Sequence, residues 1–292
     1  MRLKKLLSYT PQFSKRIDNI ILYAPFALAA LMFTGCVVYE LIQPSITIAV
    51  RDKIYSAIGF ITFCFSGCLS ILYGRKYHIS LLRSVIYSAL CFLLMFKTTS
   101  ELWCDIDVEL FGSGSLAPFR SVLLLPVLCF LISRIERLDT LTLCDYLTPY
   151  YFFDHGLTTH GCWISGCCGG KTMSRGILDP DNGLRAFPVQ LYVIILALSI
   201  SFWGLRYSCK QNYITRGKVY AVSLIAYGLF RFVIEFFTDD LRIWSVLSLY
   251  SIYSLLMILL GLLILLFKRK QPVEITKSII AEELNKTTEV VT

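Results

Sequence analysis

Seven stretches of about 20 apolar residues follow one another along the chain, each close to the length a helix needs to cross a hydrocarbon layer about 30 Å thick. They fall near Ile20 to Ile42, Ile54 to Tyr73, Ile79 to Phe96, Leu116 to Ile132, Pro188 to Tyr207, Lys218 to Phe237 and Trp244 to Phe267. Hydrophobic residues make up 56% of the 292 residues and the mean hydropathy is +0.65, more apolar material than a soluble core buries. An eighth segment, Leu141 to Leu157, is apolar and aromatic but carries Asp145, Pro149, Asp154 and His155, and reads as a broken or partly inserted helix lining a cavity. The expected fold is all-α and polytopic: an integral membrane protein with seven clear transmembrane helices, one broken or partly inserted helix, and a glycine-rich outer loop.

Basic residues set the expected orientation, because short cytoplasmic loops accumulate Lys and Arg. The N-terminal arm, the Arg75/Lys76 loop, the Arg134/Arg137 loop, the segment from Arg206 to Lys218 and the Lys268 to Lys270 end are basic. The loop with Glu101, Asp105, Asp107 and Glu109 and the Asp239/Asp240 turn are acidic. Alternation holds if Leu141 to Leu157 also crosses, with both termini cytoplasmic and residues 271–292 a cytoplasmic tail. The net charge of +8 is spread over these loops, which fits anchoring to anionic lipid and excludes a nucleic-acid footprint. The basic start followed by Thr34, Gly35 and Cys36 is similar to a lipoprotein leader. The apolar run continues past Cys36 and Phe33 is bulky, so this segment reads as a span.

The stretch from Ala226 to Phe237 places Arg231 and Glu235 four residues apart inside an apolar run. A charge at the centre of a spanning helix costs on the order of 3 kcal/mol, so both side chains are expected to face the protein interior. Tyr220, Tyr227, Arg231 and Glu235 fall on one stripe of a helix. The topology sends this helix end, the loop from Thr158 to Phe187 and the start of the Pro188 span to one outer face.

That loop contains HGCWISGCCGGKT, His160 to Thr172, with glycines at 161, 166, 169 and 170. Glycine at this density marks a tightly turned backbone that approaches a ligand closely. It reads as a phosphate cradle beside Lys171, as a thiol centre, or as small residues filling a crowded re-entry into the membrane. For Cys162, Cys167 and Cys168 the readings are plain packing or a disulfide of Cys162 with one of the other two. The spacing is not that of a zinc site, and no metal or cofactor is expected. Downstream, RAFPVQLYV places Arg185 before a helix start at Pro188, and Gln190 needs a polar partner inside the membrane.

Three motifs together, the glycine-rich loop, Pro188-x-Gln190-Leu191-Tyr192 and Tyr227-Gly228-x-x-Arg231-x-x-x-Glu235-Phe236-Phe237, resemble the bacterial prolipoprotein diacylglyceryl transferases. Asp145 and Pro149 also look like that family's residues in the preceding span. The resemblance covers roughly Leu116 to Phe267, within a membrane domain of 116–270 that follows N-terminal helices in 1–115. It implies an enzyme of the bacterial plasma (inner) membrane that moves diacylglyceryl from phosphatidylglycerol onto the lipobox cysteine thiol of a prolipoprotein, in lipoprotein biosynthesis. In that reading Arg231 holds the phosphate, Glu235 orients it, and Tyr227, Gln190, Tyr192, Asp145, Gly161 and Gly166 shape the substrate site, with Arg185 a second cation. His160 is the expected base.

The chain also departs from the family. Thr159 stands where the family has an arginine, and Ser165, Gly166 and Cys167 replace its Asn-Gly-Glu. The family's fourth-span histidine has no counterpart in GSGSLAPF, Gly112 to Phe119, and Val193 follows the Gln-Leu-Tyr motif in place of Glu. Two other functions fit these departures: a non-catalytic relative that binds the lipid or the lipoprotein precursor, and a membrane thiol-redox protein built on the three loop cysteines.

Overall fold

A computed structural model describes residues 15–42, 48–74, 77, 79–98, 117–136, 138–165, 170–178, 183–210, 215–238 and 248–267. Eight α-helices, a 3-10 turn over Glu235–Phe237 that extends the seventh of them, and one small hairpin make up the described chain. They are α1 Lys15–Ile42, α2 Ile48–Gly74, α3 Leu81–Thr98, α4 Ala117–Glu136 and α5 Thr140–Ser165, then β1 Thr172–Leu178 and β2 Arg185–Ala186, then α6 Val189–Lys210, α7 Lys218–Ile234 and α8 Leu249–Phe267. The fold is thus mainly helical, as expected.

Three described helices are long and apolar enough to cross a membrane, over Val189–Ser208, Lys218–Phe237 and Leu249–Phe267. Shorter apolar stretches occur at Leu22–Val38, Ser56–Ser70 and Leu81–Leu94. On α8 Leu255, Leu256, Leu259, Leu262, Leu263 and Leu266 are all exposed. A surface of this kind is stable against hydrocarbon and not against water. The acidic loop at 101–109, the Asp239/Asp240 turn and the tail at 271–292 lie outside the described residues.

The largest correction concerns the segment read as broken. Thr140–Ser165 is one continuous helix of 26 residues with Pro149 inside it. It packs against α1, α2, α3, α4, α6 and α7, which makes it the axis of the bundle. The polar residues that suggested a break are buried among neighbouring helices. Protein donors meet them there, so the helix need not open to hydrate them. The correction extends to the loop: His160, Gly161, Cys162 and Ser165 belong to the last turns of α5, so the glycine-rich loop begins after residue 165.

Asp145 shows how this burial is stabilised. Its Oδ1 accepts from Tyr220 N at 2.8 Å and its Oδ2 from Lys218 N at 3.1 Å. These are N–H groups in the first turn of α7, which have no partner within their own helix. The residue before that turn is Gly217, with φ +74, and it offers no side-chain cap of its own. A carboxylate from α5 therefore performs the capping, aided by the positive end of the α7 dipole. Asp139 supports the same corner. It accepts from Thr142 N at 3.3 Å and binds Arg216 bidentately at 2.9 Å through both Oδ1 and Oδ2, which holds the Arg216 guanidinium above its ordinary pKa. Beside this corner Tyr73, Tyr77, Tyr146 and Tyr150 form a buried aromatic cluster, with ring centroids 5.2 Å apart for Tyr146 and Tyr150.

Helices α7 and α8 pack at very short range. A Cβ on Gly228 would lie 2.7 Å from Ser254 O, and one on Gly261 would lie 2.7 Å from Ala221 O. Small residues at these crossings let the two backbones approach closely.

Asp145→Ala is expected to lower the stability of the detergent-solubilised chain by about 2 kcal/mol, because a buried and a partly buried N–H group lose their acceptor. Arg216→Ala, at a partly exposed pair, is expected to cost less than about 1 kcal/mol. Thermal unfolding of the two variants checks the order.

Candidate functional site

At the opposite end of the bundle from Asp145, the hairpin docks on the end of α7. Lys171 N donates to Phe237 O at 2.8 Å, and Lys171 Nζ donates to Phe236 O at 2.9 Å. An ammonium there suits the carbonyl-rich terminus of a helix. Phe187 stacks between Phe237, at 4.7 Å, and Tyr192, at 5.3 Å. Val189 and Val193 of α6 pack with Ile234 of α7. The loop, the start of α6 and the end of α7 therefore share one end of the bundle, the convergence that the topology predicted.

The α7 stripe faces inward. Tyr220 and Tyr227 are fully buried and Glu235 is buried, while Arg231 is partly buried. Arg231 sits over two rings from other helices, with its guanidinium carbon 5.3 Å from the centroid of Phe119 on α4 and 6.0 Å from that of Tyr250 on α8. Phe119 also contacts Tyr227 at 6.3 Å and Tyr253 at 5.9 Å. Arg231 Nε is shielded from solvent and has no hydrogen-bond partner among the described residues. Cation–ring contacts contribute about 0.5–2 kcal/mol each, enough to hold the guanidinium but not to neutralise it. An arginine in this setting is organised to receive an anion.

One turn back along α7, Tyr227 OH lies 2.8 Å from His155 Nε2 on α5. Tyr151 stacks on the same imidazole at 6.1 Å, and its own hydroxyl lies 2.8 Å from Ser121 Oγ of α4. Phe152 closes the other side of Tyr227 at 5.3 Å. Helices α4, α5, α7 and α8 thus supply Phe119, His155, Tyr227, Arg231 and Tyr250 to one cluster.

Other expected site residues stand elsewhere. Glu235 Oε1 accepts from Ser248 Oγ at 2.6 Å, and Ser248 Oγ in turn accepts from Ser251 N at 3.2 Å, so this carboxylate ties the end of α7 to the first turn of α8. Its described side-chain partner is Ser248. His160 faces α1, its Nδ1 within 3.0 Å of Gly156 O and its ring 6.4 Å from Phe33. Five residues place it about 140° around the helix from His155. Asp145 bonds Tyr220 N, 11 residues before Arg231, which is about 16 Å along the axis. Arg185 is exposed and donates to Gly176 O at 2.7 Å across the hairpin. Tyr192 is exposed on the outer stack, whereas Gln190 is buried in the first turn of α6. Gly161 and Cys162 lie on α5, the first buried and the second partly so, and Gly166, Cys167 and Cys168 lie outside the described residues. Thr159 directs its Oγ1 back to His155 O at 2.6 Å, so no cation stands at that position.

Phe119, Tyr250 and His155 were not singled out from the sequence as site residues. A signal for His155 existed: Asp145 and Phe152 are seven residues apart and His155 three further, all on the side of a continuous helix that meets α7. Reading the segment as broken removed that register.

The profile of the family described as prolipoprotein diacylglyceryl transferase matches residues 16–267. The chain belongs to this family. The match takes in α1 to α3 and so reaches beyond the half in which the motifs were legible. Among similar proteins, the phosphatidylglycerol–prolipoprotein diacylglyceryl transferase of Clostridium tetani is 29% identical over 121 residues, 39% of this chain and 47% of that protein. The Clostridium perfringens protein of the same name, numbered 2, is 29% identical over 119 residues, 38% and 46% of the two chains. The Bordetella bronchiseptica protein is 26% identical over 165 residues, 54% and 61%. The chain spans about half the length of the first two relatives and about three fifths of the third.

Ser248→Ala is expected to cost about 2–3 kcal/mol, since it removes a helix cap and a donor to a buried carboxylate together, while Ser248→Thr stays close to the native stability. Unfolding midpoints in detergent check the contrast.

Proposed function

We propose that this family member is a phosphatidylglycerol–prolipoprotein diacylglyceryl transferase of the bacterial plasma membrane, acting in lipoprotein biosynthesis. The observation that carries the reading is Arg231: a guanidinium held over Phe119 and Tyr250, with a shielded Nε that no acceptor among the described residues meets. Displacement at the glycerol carbon needs a cation on the departing phosphate, and charge-assisted N–H to phosphate contacts strengthen as negative charge develops there. The thiol of the acceptor cysteine attacks the glyceryl carbon, the carbon–oxygen bond to phosphate breaks, and glycerol 1-phosphate leaves. In the family motif the arginine and the tyrosine one turn before it correspond to Arg231 and Tyr227 here. Glu235 fixes the α7 to α8 corner, and so the position of Arg231 relative to Tyr250, through Ser248.

In this reading all eight helices cross the membrane and both termini are cytoplasmic. Arg83, Arg134, Arg206, Arg216 and Lys218 cluster at the Asp139 end of the described helices, as a cytoplasmic face requires. Arg231 then opens toward the outer face together with the hairpin. Arg185, at the hairpin, is expected to accept a membrane-impermeant thiol reagent from outside intact cells when replaced by cysteine in a chain with no other exposed cysteine. Labelling only after permeabilisation overturns the orientation.

A second reading is favoured by one feature. Thr159 stands at the family's arginine position and spends its hydroxyl on His155 O, so one family cation is absent and the site suits binding of the anionic lipid without transfer. Complementation of a cell depleted of its own diacylglyceryl transferase separates the two. The native chain is expected to restore precursor processing and Arg231→Ala to abolish it, read by gel shift of a lipoprotein precursor. A well-inserted native chain that binds phosphatidylglycerol but leaves the precursor unprocessed selects the binding-only relative.

A further inference from the structure

We propose that His155 is the proton acceptor for the attacking thiol, working through the phenol of Tyr227; this rests on the transferase reading. The pair is built for such a transfer: both side chains are buried, Tyr227 OH lies 2.8 Å from His155 Nε2, and Tyr227 stands one helical turn from Arg231. A thiol attacking a carbon whose phosphate oxygen rests on Arg231 arrives beside the Tyr227 hydroxyl. The chemistry requires a base there, since the thiolate and not the thiol is the nucleophile.

The surroundings leave His155 as the group suited to the task. The chain has three histidines; His160 faces α1 with its Nδ1 against its own helix, and His78 lies outside the described residues. Of the described carboxylates on the helices around the site, Glu235 accepts from Ser248, Asp145 caps α7, and Asp154 accepts from Ser66 Oγ at 3.3 Å on the α2 side of α5. A phenol alone, with an ordinary pKa near 10, yields its proton poorly and accepts one worse, whereas an imidazole near 6.5 accepts one at neutral pH. Tyr151, stacked on the ring and held by Ser121, keeps the imidazole aimed at Tyr227. Among the described contacts, the ring meets Tyr151 on its own helix and Tyr227, with Arg231 one turn beyond it, on α7.

The step balances. The thiol proton passes to the Tyr227 oxygen as the phenol proton passes to His155 Nε2, in the tautomer whose other proton is on Nδ1. The sulfur lone pair forms the bond to the glyceryl carbon, and the pair of the breaking carbon–oxygen bond stays with the phosphate against Arg231. The imidazolium then gives its proton to the departing phosphate or to water.

The test uses the full chain in detergent with phosphatidylglycerol in mixed micelles and a cysteine-containing lipobox peptide. His155→Gln retains an amide to meet the Tyr227 hydroxyl but accepts no proton. At pH 7 its kcat is expected to fall about a hundredfold or more, with KM for phosphatidylglycerol within threefold. The deficit is expected to shrink by pH 9, above the ordinary thiol pKa of about 8.5, because the peptide thiol then ionises without a base. Tyr227→Phe, which removes the link, is expected to show the same pH-dependent deficit and serves where His155→Gln folds poorly. A deficit that stays constant from pH 6.5 to 9, or a His155→Gln enzyme within threefold of native while His160→Gln is inactive, overturns the inference and leaves the transferase reading intact. A folded native chain with no transfer at any pH overturns both.

Discussion

The carboxylate of Asp145 joins two helices at the place where neither stabilises itself. The first turn of α7 follows a glycine with no side chain to cap it, and α5 carries a charge that lipid would reject. Each meets the other's need, with Tyr220 N and Lys218 N as the donors. Because α5 contacts nearly every other helix, this junction sets the rotation and height of α7 relative to the whole bundle. Tyr227 and Arg231 then follow at fixed positions along α7, and His155 at a fixed position along α5. The alignment of His155 with Tyr227 is thus a distant consequence of a capping interaction two to three turns away.

The site end is organised differently. Rings provide most of the contacts: Phe119 and Tyr250 below Arg231, with Tyr253 against Phe119, and Tyr151 and Phe152 around the His155 to Tyr227 pair. Aromatic surfaces fix the polar groups in place without competing for their hydrogen bonds. Among the described residues, Glu235 accepts from Ser248 and Asp154 from Ser66. The hairpin adds a cover that is held by backbone bonds and by the Tyr192, Phe187 and Phe237 stack. Its strands pair irregularly, with Ala186 opposite both Thr172 and Ile177.

Much of the fold was legible because hydropathy reports helices directly when lipid is the solvent. The α7 stripe was legible for a related reason: charges at helical spacing in an apolar run have one place to go. The segment from Leu141 to Leu157 was misread by the same rule, since its polar residues lowered its apparent fitness to be buried. Burial among other helices makes such a segment acceptable, and single-sequence hydropathy does not see neighbours. His160 was favoured over His155 because it lies in a motif. In the continuous α5 it is His155 whose ring meets Tyr227.

By itself the sequence determined the helical class, the inward face of α7, the meeting of the loop with the ends of α6 and α7, and the family motifs around Arg231. These follow from local chemistry: the cost of exposing a charge or an apolar run is carried by each residue wherever it sits. The tertiary structure decided which polar groups meet. That Asp145 caps α7, that Glu235 meets Ser248 and that His155 is the histidine that reaches Tyr227 depend on helix rotation and packing. A hydrogen bond requires its partners within about 3 Å, and only the assembled bundle brings residues 72 positions apart to that distance.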